Sequence, residues 1–563
     1  MRTLDWLVLI AFIAFTVIYS LIRGRGSKTT RAYMLADKTM PWYAVALSIM
    51  ATQASAITFV SIPGQAYADG TRFVQYYFGL PIAMVILCIV AVPLFMRLNV
   101  YTAYEFLEKR FDLKTRVLAG FLFLLQRGLA NSISLYAPAI ILSIILGWDM
   151  KTTLRTIGGI VIFYTALGGV KGINWTEFYQ FMIVFAGMFA ALFMTIYLLP
   201  GQISFGDAVS VAGALGRLNT IDFSFDWNNR YNFWSGIIGG LFLALAYFGT
   251  DQSQVQRYLT AKSVAQSRLG LIFNGLAKVP MQFFILFVGV MVFVFYQFVT
   301  PPLFFNPVEE SKIRSSAYAS QYHKLEKRYN QASAAKRQRL EQYVSARRSE
   351  NPAALKQARE ELLQAQSEAS LVRQEAIGVL RKNDPDVNTN DTNYVFLTFV
   401  VQYLPAGLVG LVIVVVFGAT MASNSSELNS LATASVVDVY KRLINRDGSD
   451  RHYLIITKIA TALWGLFAIT VSERASRLGT LVEAVNILGS LFYGTVLGIF
   501  MLAFFFKRIG GTSAFLAALV GEAVVLSLFL FTKISFLWYN VFGCVAVIIA
   551  AILLQSFTRK KYV

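Results

Sequence analysis

Charged side chains are scarce in this chain. Asp, Glu, Lys and Arg make up 14% of its 563 residues and hydrophobic residues 56%, whereas a soluble domain carries roughly 25% charged residues. Length alone would suggest about three or four soluble domains. Long apolar stretches recur along nearly the whole sequence, however, broken by short polar loops, so its main solvent is lipid. Cysteine is almost absent. Cys88 and Cys544 both sit inside apolar stretches, which implies small membrane-packed residues and no disulfide framework. His323 and His452 lie far apart in polar segments, which argues against a histidine metal site. There is no zinc or nucleotide motif, and the lack of a Walker loop removes ATP-driven pumping. No nucleophile–base constellation stands out, so an enzyme is the least favoured class.

A spanning helix needs about 20 largely apolar residues. About thirteen stretches qualify: 4–22, 41–66, 74–96, 117–147, 154–170, 175–200, 232–256, 269–299, 404–438, 452–471, 478–506, 511–531 and 535–556. The first follows Arg2 with no clean cleavage site, and we read it as a retained helix rather than a signal peptide. The net charge of +19 could suggest nucleic acid, but its placement is topological. With the N-terminus outside, the inner loops hold Arg23, Arg25, Lys28, Arg31 and Lys38, then Arg97, Lys109, Arg110, Lys114 and Arg116. Further on they hold Lys171, then Arg257, Lys262 and Arg268, then Lys441, Arg442, Arg446, Arg451, Lys507, Arg508, Arg559, Lys560 and Lys561. The outer segments hold far fewer basic residues, which predicts N-outside and C-inside, in a cell membrane such as a bacterial inner membrane.

Residues 308–385 break the pattern. They are rich in Ala, Gln, Glu, Lys and Arg, with Tyr318, Tyr322, Leu325 and Tyr329 at helical spacing, Leu355 and Leu362 likewise, and Asn351-Pro352 interrupting the middle. The pattern predicts two amphipathic helices joined as an external hairpin. It is either a solvated insertion that steadies an outer loop, or a lid or an arm for a protein partner.

Four places inside the spans carry chemistry. Small and hydroxyl residues crowd 51–58 (ATQASAIT), and Pro63-Gly64 follows; unwinding there would free carbonyls for a cation, since unsatisfied backbone is too costly in lipid. A second run, 419–430 (ATMASNSSELNS), is dense in hydroxyls, the oxygen ligands that a hard cation prefers. Small-residue breaks are therefore expected in the second and ninth spans, against close helix packing as the alternative. Third, Arg127 and Lys278 are intramembrane cations and functional by default; a guanidinium can clamp a carboxylate in bidentate fashion, and the alternative is a structural ion pair. Fourth, residues 244–251 (ALAYFGTD) offer Tyr247 and Phe248 as flat faces, with Gly249 permitting a bend.

Several segments in order resemble the sodium/solute symporter family: the run from Ala51 to Tyr67, Tyr101 to Phe111, Tyr164 to Gly169 with Trp175-Thr176-Glu177, Gln256-Arg257, and Leu428-Asn429-Ser430 followed by Asp438. The Ser-Ile-Pro-Gly-Gln-Ala-Tyr stretch looks closer to the branch carrying organic anions, iodide and sialic acid than to the sugar branch. The resemblance implies an all-α membrane protein with a LeuT-like 5+5 inverted repeat. On that scheme an extra helix and loop (1–40) precede the first repeat (41–200) and an external loop (201–231). The second repeat (232–307 and 386–506) flanks the hairpin (308–385), and C-terminal helices follow (507–563).

The resemblance also implies a sodium site at Ala51, Ala54, Ala419, Ala422 and Ser423, with Ala where many members place a hydroxyl at 422. A second sodium would fall at Glu177, Ser423, Ser425 and Ser426, with Glu for the usual Asp. Tyr247 matches an aromatic inner gate. Thr58, Tyr77, Leu80 and Ala244 replace the polar residues of sugar carriers, so a galactose-type site is disfavoured. Thr58, Ser61, Tyr77 and Asn486 are the expected pocket walls, and Arg127 points to a carboxylate-bearing solute such as a monocarboxylate or an acidic sugar. The expected activity is sodium-coupled symport by alternating access. Its competitors are a neutral-solute symporter, an uncoupled carrier or channel, a sensor, and proton coupling through Glu177.

Overall fold

The computed structural model describes residues 2–25, 28–474 and 481–559. Lys560, Lys561 and residues 478–480 at the start of one expected span lie outside the described residues. Regular structure among the described residues is helical, apart from one isolated bridge between Met40 and Ala261. The chain opens with α1 (Thr3–Gly24) and the short α2 (Thr30–Leu35). A broken span follows as α3 (Trp42–Gln53) and α4 (Ala56–Asp69), then α5 (Leu80–Ile89), α6 (Ala91–Leu98) and α7 (Tyr104–Arg110). Next come α8 (Leu113–Leu146), α9 (Met150–Tyr197) and the short α10 (Phe205–Ala214). A second broken span holds α11 (Gly240–Thr250) and α12 (Gln252–Leu259), followed by α13 (Val264–Phe298). The polar insertion contains α14 (Pro307–Arg314), α15 (Ala319–Arg348) and α16 (Pro352–Asn383). The membrane helices resume through α17 (Thr392–Tyr403), α18 (Leu408–Ala434), α19 (Asp450–Ser472), α20 (Leu481–Phe505), α21 (Gly511–Phe531) and α22 (Phe536–Arg559).

Ten helices among the described residues are long and apolar enough to cross a membrane. The difference from the thirteen expected spans has three sources. Spans 154–170 and 175–200 join in α9, whose 48 residues would be about 72 Å long if straight, far more than a bilayer core of about 30 Å. Gly169 (φ 58°, ψ −178°) breaks the helical path there, a conformation that glycine adopts without the Cβ clash of other residues. Spans 41–66 and 74–96 meet across Ala56–Leu98, with α3 split off, and the longest apolar piece of 232–256 is Ser235–Thr250.

The hydroxyl run 419–430 forms no break. α18 is continuous, because Thr420, Ser423, Ser425 and Ser430 turn their hydroxyls onto carbonyls of their own helix, at 2.7, 3.0, 3.0 and 2.8 Å. Ser and Thr in a helix can satisfy themselves in this way without unwinding it.

α4 runs through Pro63 and is clasped closely on two sides. A Cβ on Gly64 would lie 1.8 Å from the Thr392 carbonyl oxygen of α17, and one on Gly289 of α13 would lie 2.2 Å from the Pro63 carbonyl oxygen. Only glycine lets these backbones approach so far, which is the small-residue logic of membrane helix packing. Gly64→Val should force α17 off α4 and cost about 1–3 kcal/mol, the usual cost of overpacking. Thermal unfolding of the purified variant checks this, and an unchanged midpoint would contradict it.

The insertion is the expected helical hairpin, and it is seated at both ends. Asn351 caps α16 by accepting from the Ala353 and Ala354 N–H groups at 3.1 and 3.2 Å, and Pro352 fills the first helical turn, where a missing N–H costs nothing. Tyr322, Leu325 and Tyr329 of α15 meet Ala369, Val372 and Ala376 of α16 over Leu303 and Phe304. At the tip, Arg347 and Arg348 grip Asp207 of α10 at 2.7 and 2.5 Å. At the base, Arg373 pairs with Asp391 at 2.7 Å, and Asp391 also accepts from the Phe305 N–H. Between them Lys336 is buried. Burial, with Arg217 nearby, pushes its amine down from 10.5 to about 8. Because the folded state disfavours the charged form, hairpin stability should rise with pH between about 8 and 10.5, by at most about 1.4 kcal/mol per pH unit. Lys336→Met should stabilise the hairpin at pH 7 and flatten that rise. Amide exchange across 319–383 as a function of pH measures both; a variant no more protected than the parent at pH 7 would contradict the account.

Candidate functional site

The break between α3 and α4 falls at Ala54 and Ser55, inside the small-residue run. Ala54 leaves helical geometry (φ −93°, ψ 72°), and Ser55 starts the next helix in extended conformation (φ −71°, ψ 175°). The Ala54 N–H still donates to Met50 at 2.9 Å, and the Thr58 N–H to Ser55 at 2.9 Å. A helix end leaves its last carbonyls without intrahelical partners, and those of α3 include Ala51. α3 and α4 both pack against α18, and within α18 Ser423 Oγ donates to the Ala419 carbonyl. Ala51, Ala54, Ala419, Ala422 and Ser423 are all buried.

Beside the break lies a nest of oxygens around Glu177 of α9. Ser48 and Ser426 both donate to its carboxylate, and Thr52 Oγ1 lies 3.4 Å from it, 3.0 Å from Ser426 Oγ and 2.8 Å from the Ser48 carbonyl oxygen. Arg257 of α12 approaches Glu177 at 4.0 Å and donates to Asn174 at 2.8 Å. Of the expected second-ion residues, Glu177 and Ser426 are brought together. Ser423 and Ser425 instead hydrogen-bond to the carbonyls of Ala419 and Ala422.

A cavity opens on the break. Thr52, Gln53, Ser55 and Thr58 form one wall, Tyr76, Tyr77 and Leu80 another, and Ala244, Tyr247 and Phe248 of α11 a third; Gln126, Arg127, Glu427, Asn486 and Tyr493 complete it. The expected pocket residues Thr58, Tyr77, Arg127, Tyr247 and Asn486 all line it. Ser61 does not: its hydroxyl donates to Asn393 of α17 at 2.7 Å. Residue 61 lies one turn beyond Thr58 but faces the helix that clasps α4. The bend near Tyr247 falls at Asp251 (φ −79°, ψ 120°), two residues past Gly249.

Arg127 is not a free clamp. Its guanidinium bonds Asp251, Glu427 (Nη1 to Oε1, 3.1 Å) and the Tyr493 hydroxyl, and lies over the Tyr247 ring at 5.2 Å. The Tyr493 hydroxyl also donates to Asp251 at 2.9 Å. Lys278 is fully buried behind Tyr77, with Nζ 5.7 Å from that ring's centroid and no hydrogen-bond partner among the described residues. Sequence reasoning missed Asp251, Glu427 and Tyr493. The rule that singled out Arg127 also covers both acids, because each sits within an expected span. Tyr493 carries no such signal in an aromatic-rich helix.

With this geometry, the comparisons with known proteins are specific. The sequence profile of the sodium:solute symporter family matches residues 33–316 and 381–521, and the stretch it skips falls inside the hairpin. The chain therefore belongs to the sodium:solute symporter family, and sodium is its coupling ion. The chain is 26% identical to sodium-coupled monocarboxylate transporter 1 of Xenopus laevis over 90% of this chain and 68% of that protein. It is 25% identical to the sodium/sialic acid symporter SiaT of Proteus mirabilis over 97% and 94%. A solved structure of a sodium-coupled sialic acid symporter in a substrate-bound, outward-open state superposes with a TM-score of 0.76 at 22% identity, covering 99% of this chain and 98% of that one. That likeness establishes the LeuT-like fold.

Removing one member of a buried ion pair costs about 3–5 kcal/mol, whereas losing one neutral hydrogen-bond donor costs about 1 kcal/mol. Asp251→Asn should accordingly destabilise the protein far more than Tyr493→Phe. Parallel thermal unfolding of the two variants tests the ranking, and equal shifts would contradict it.

Proposed function

We propose that this symporter imports a small carboxylate-bearing solute, a monocarboxylate or an acidic sugar, across a cell membrane, with its N-terminus outside and its C-terminus in the cytoplasm. The observation that carries the proposal is that the broken backbone at Ala54–Ser55 forms a wall of the same cavity that Arg127 lines. Ion and solute then share one structural element, as coupling requires. The relatives named for monocarboxylate and sialic acid transport support the choice of cargo.

On this reading the carbonyls of Ala51, Ala54, Ala419 and Ala422 and the hydroxyl of Ser423 take one sodium ion. Glu177 with Ser426, joined by Ser48 and Thr52, is the candidate for a second. Each sodium moving down about 100 mV contributes about 2.3 kcal/mol before its concentration gradient is counted. Solute enters the cavity from outside, the outer path closes, and the Tyr247 side opens inward. The cycle is driven only if sodium binds the solute-competent state better than the alternatives.

The test is uptake into proteoliposomes of purified protein, with monocarboxylates, acidic sugars and neutral sugars offered with and without an inward sodium gradient. Sodium-driven accumulation of an acid is expected; preferential accumulation of neutral sugars would refute the proposed cargo. Ser423→Ala should raise the half-saturating sodium concentration about tenfold, equivalent to roughly 1.4 kcal/mol of ion binding. An unchanged sodium response would remove Ser423 from the site.

A further inference from the structure

We propose that the groove between the α20–α21 turn and α22 holds the headgroup of an anionic phospholipid, with an acyl chain lying along α22. The turn is fixed from two sides. Arg110 of α7 donates to the Phe506 carbonyl at 2.8 Å and to the Ile509 carbonyl at 3.4 Å, and Gln555 Oε1 of α22 accepts from the Gly510 N–H at 2.8 Å. Held in this way, the turn leaves Lys507 and Arg508 exposed, and neither has an ion-pair partner among the described residues. The groove's lining sets these two cations beside Phe505, Phe506, Ile509 and Ile552, and it contains no carboxylate. Asp112, which packs closely against Gly511, is already engaged: it caps α8 at the Thr115 N–H at 2.9 Å and pairs with Lys114 at 3.7 Å.

α22 carries the groove into the membrane. Val545, Ile549, Ile552 and Leu553 are 40%, 53%, 46% and 54% exposed, and steps of three and four residues place them on one face of a helix. α22 is long and apolar enough to span, so in a bilayer that face meets acyl chains. Ile552 belongs to both the face and the groove, and Phe505, also exposed, joins it there from α20. The ligand must then satisfy two demands at once. A soluble phosphate would match the cations but leave Phe505 and Ile552 uncovered. A neutral lipid would cover the apolar face but leave both cations without a counter-charge. A phosphodiester carrying acyl chains meets both, and basic pockets between membrane helices hold anionic headgroups in this manner. The firm seating of the turn by Arg110 and Gln555 means that the two cations need no rearrangement to receive it.

The experiment titrates full-length protein in detergent with phosphatidylglycerol, with phosphatidylcholine of the same acyl chains, and with soluble glycerol phosphate, and counts bound lipids by native mass spectrometry. We expect phosphatidylglycerol to bind about tenfold or more tightly than phosphatidylcholine, and the double variant Lys507→Ala/Arg508→Ala to lose that preference. The charge-keeping variant Lys507→Arg/Arg508→Lys should retain it. So should Lys324→Ala/Lys327→Ala, which removes two exposed cations from the hairpin. A photoreactive phosphatidylglycerol should crosslink within 505–509 or 549–556. Equal binding of the two lipids, a preference that survives loss of both cations, an equal loss in the hairpin variant, or crosslinks confined to other segments would each overturn the proposal. Glycerol phosphate competing as well as the lipid would also overturn it, since the apolar face would then contribute nothing.

Discussion

Inside a bilayer no water is at hand for a carbonyl whose helix has ended, and each polar backbone group left open there costs several kcal/mol. The interruption at Ala54–Ser55 must therefore be met by protein or by an ion, and much of the surrounding structure serves that need. α18 faces it with buried oxygens, and Glu177 gathers Ser48, Thr52 and Ser426 beside it. The clasp of α4 by Gly289 on one side and by α17 over Gly64 on the other fixes the helix that begins at the break. A backbone that would be intolerable facing lipid becomes tolerable once it is enclosed in this way.

The second organising fact is the set of ion pairs that link helices distant in sequence. Arg127 ties α8 to the bend between α11 and α12 and to α18. Towards the other end of α8, Arg116 joins Asp438 at 2.6 Å and Glu108 at 2.5 Å. Buried pairs add little net stability but make one arrangement of partners much better than its neighbours. In a protein that must exchange a small set of discrete states, such pairs separate the states sharply. The seated hairpin, pinned through Asp207 and Asp391, extends the same logic to the polar side of the helix bundle.

Much of this was legible in the sequence. Apolar runs located the spans, and the crowding of small residues at 51–58 located the break to within its own width. The heptad-like tyrosines with Asn351-Pro352 defined the hairpin. Other features were not readable, for physical reasons. Hydroxyl density at 419–430 signals either a break or a helix that satisfies its own hydroxyls, and composition does not separate the two; α18 takes the second course. Which way Ser61 faces depends on the packing of α17, more than 330 residues away in sequence, through Asn393. The pairing of Arg127 with Asp251 and Glu427 likewise spans 124 and 300 positions, a distance that no local pattern encodes.

The central claim is that sodium is held at the helix break opposite α18. Amide hydrogen exchange of the purified protein in sodium, compared with potassium at equal ionic strength, addresses it directly. The account predicts that sodium slows exchange selectively at residues 52–58, with little change in the hairpin helices α15 and α16. Equal exchange in the two salts at 52–58, or protection confined to the hairpin, would contradict it.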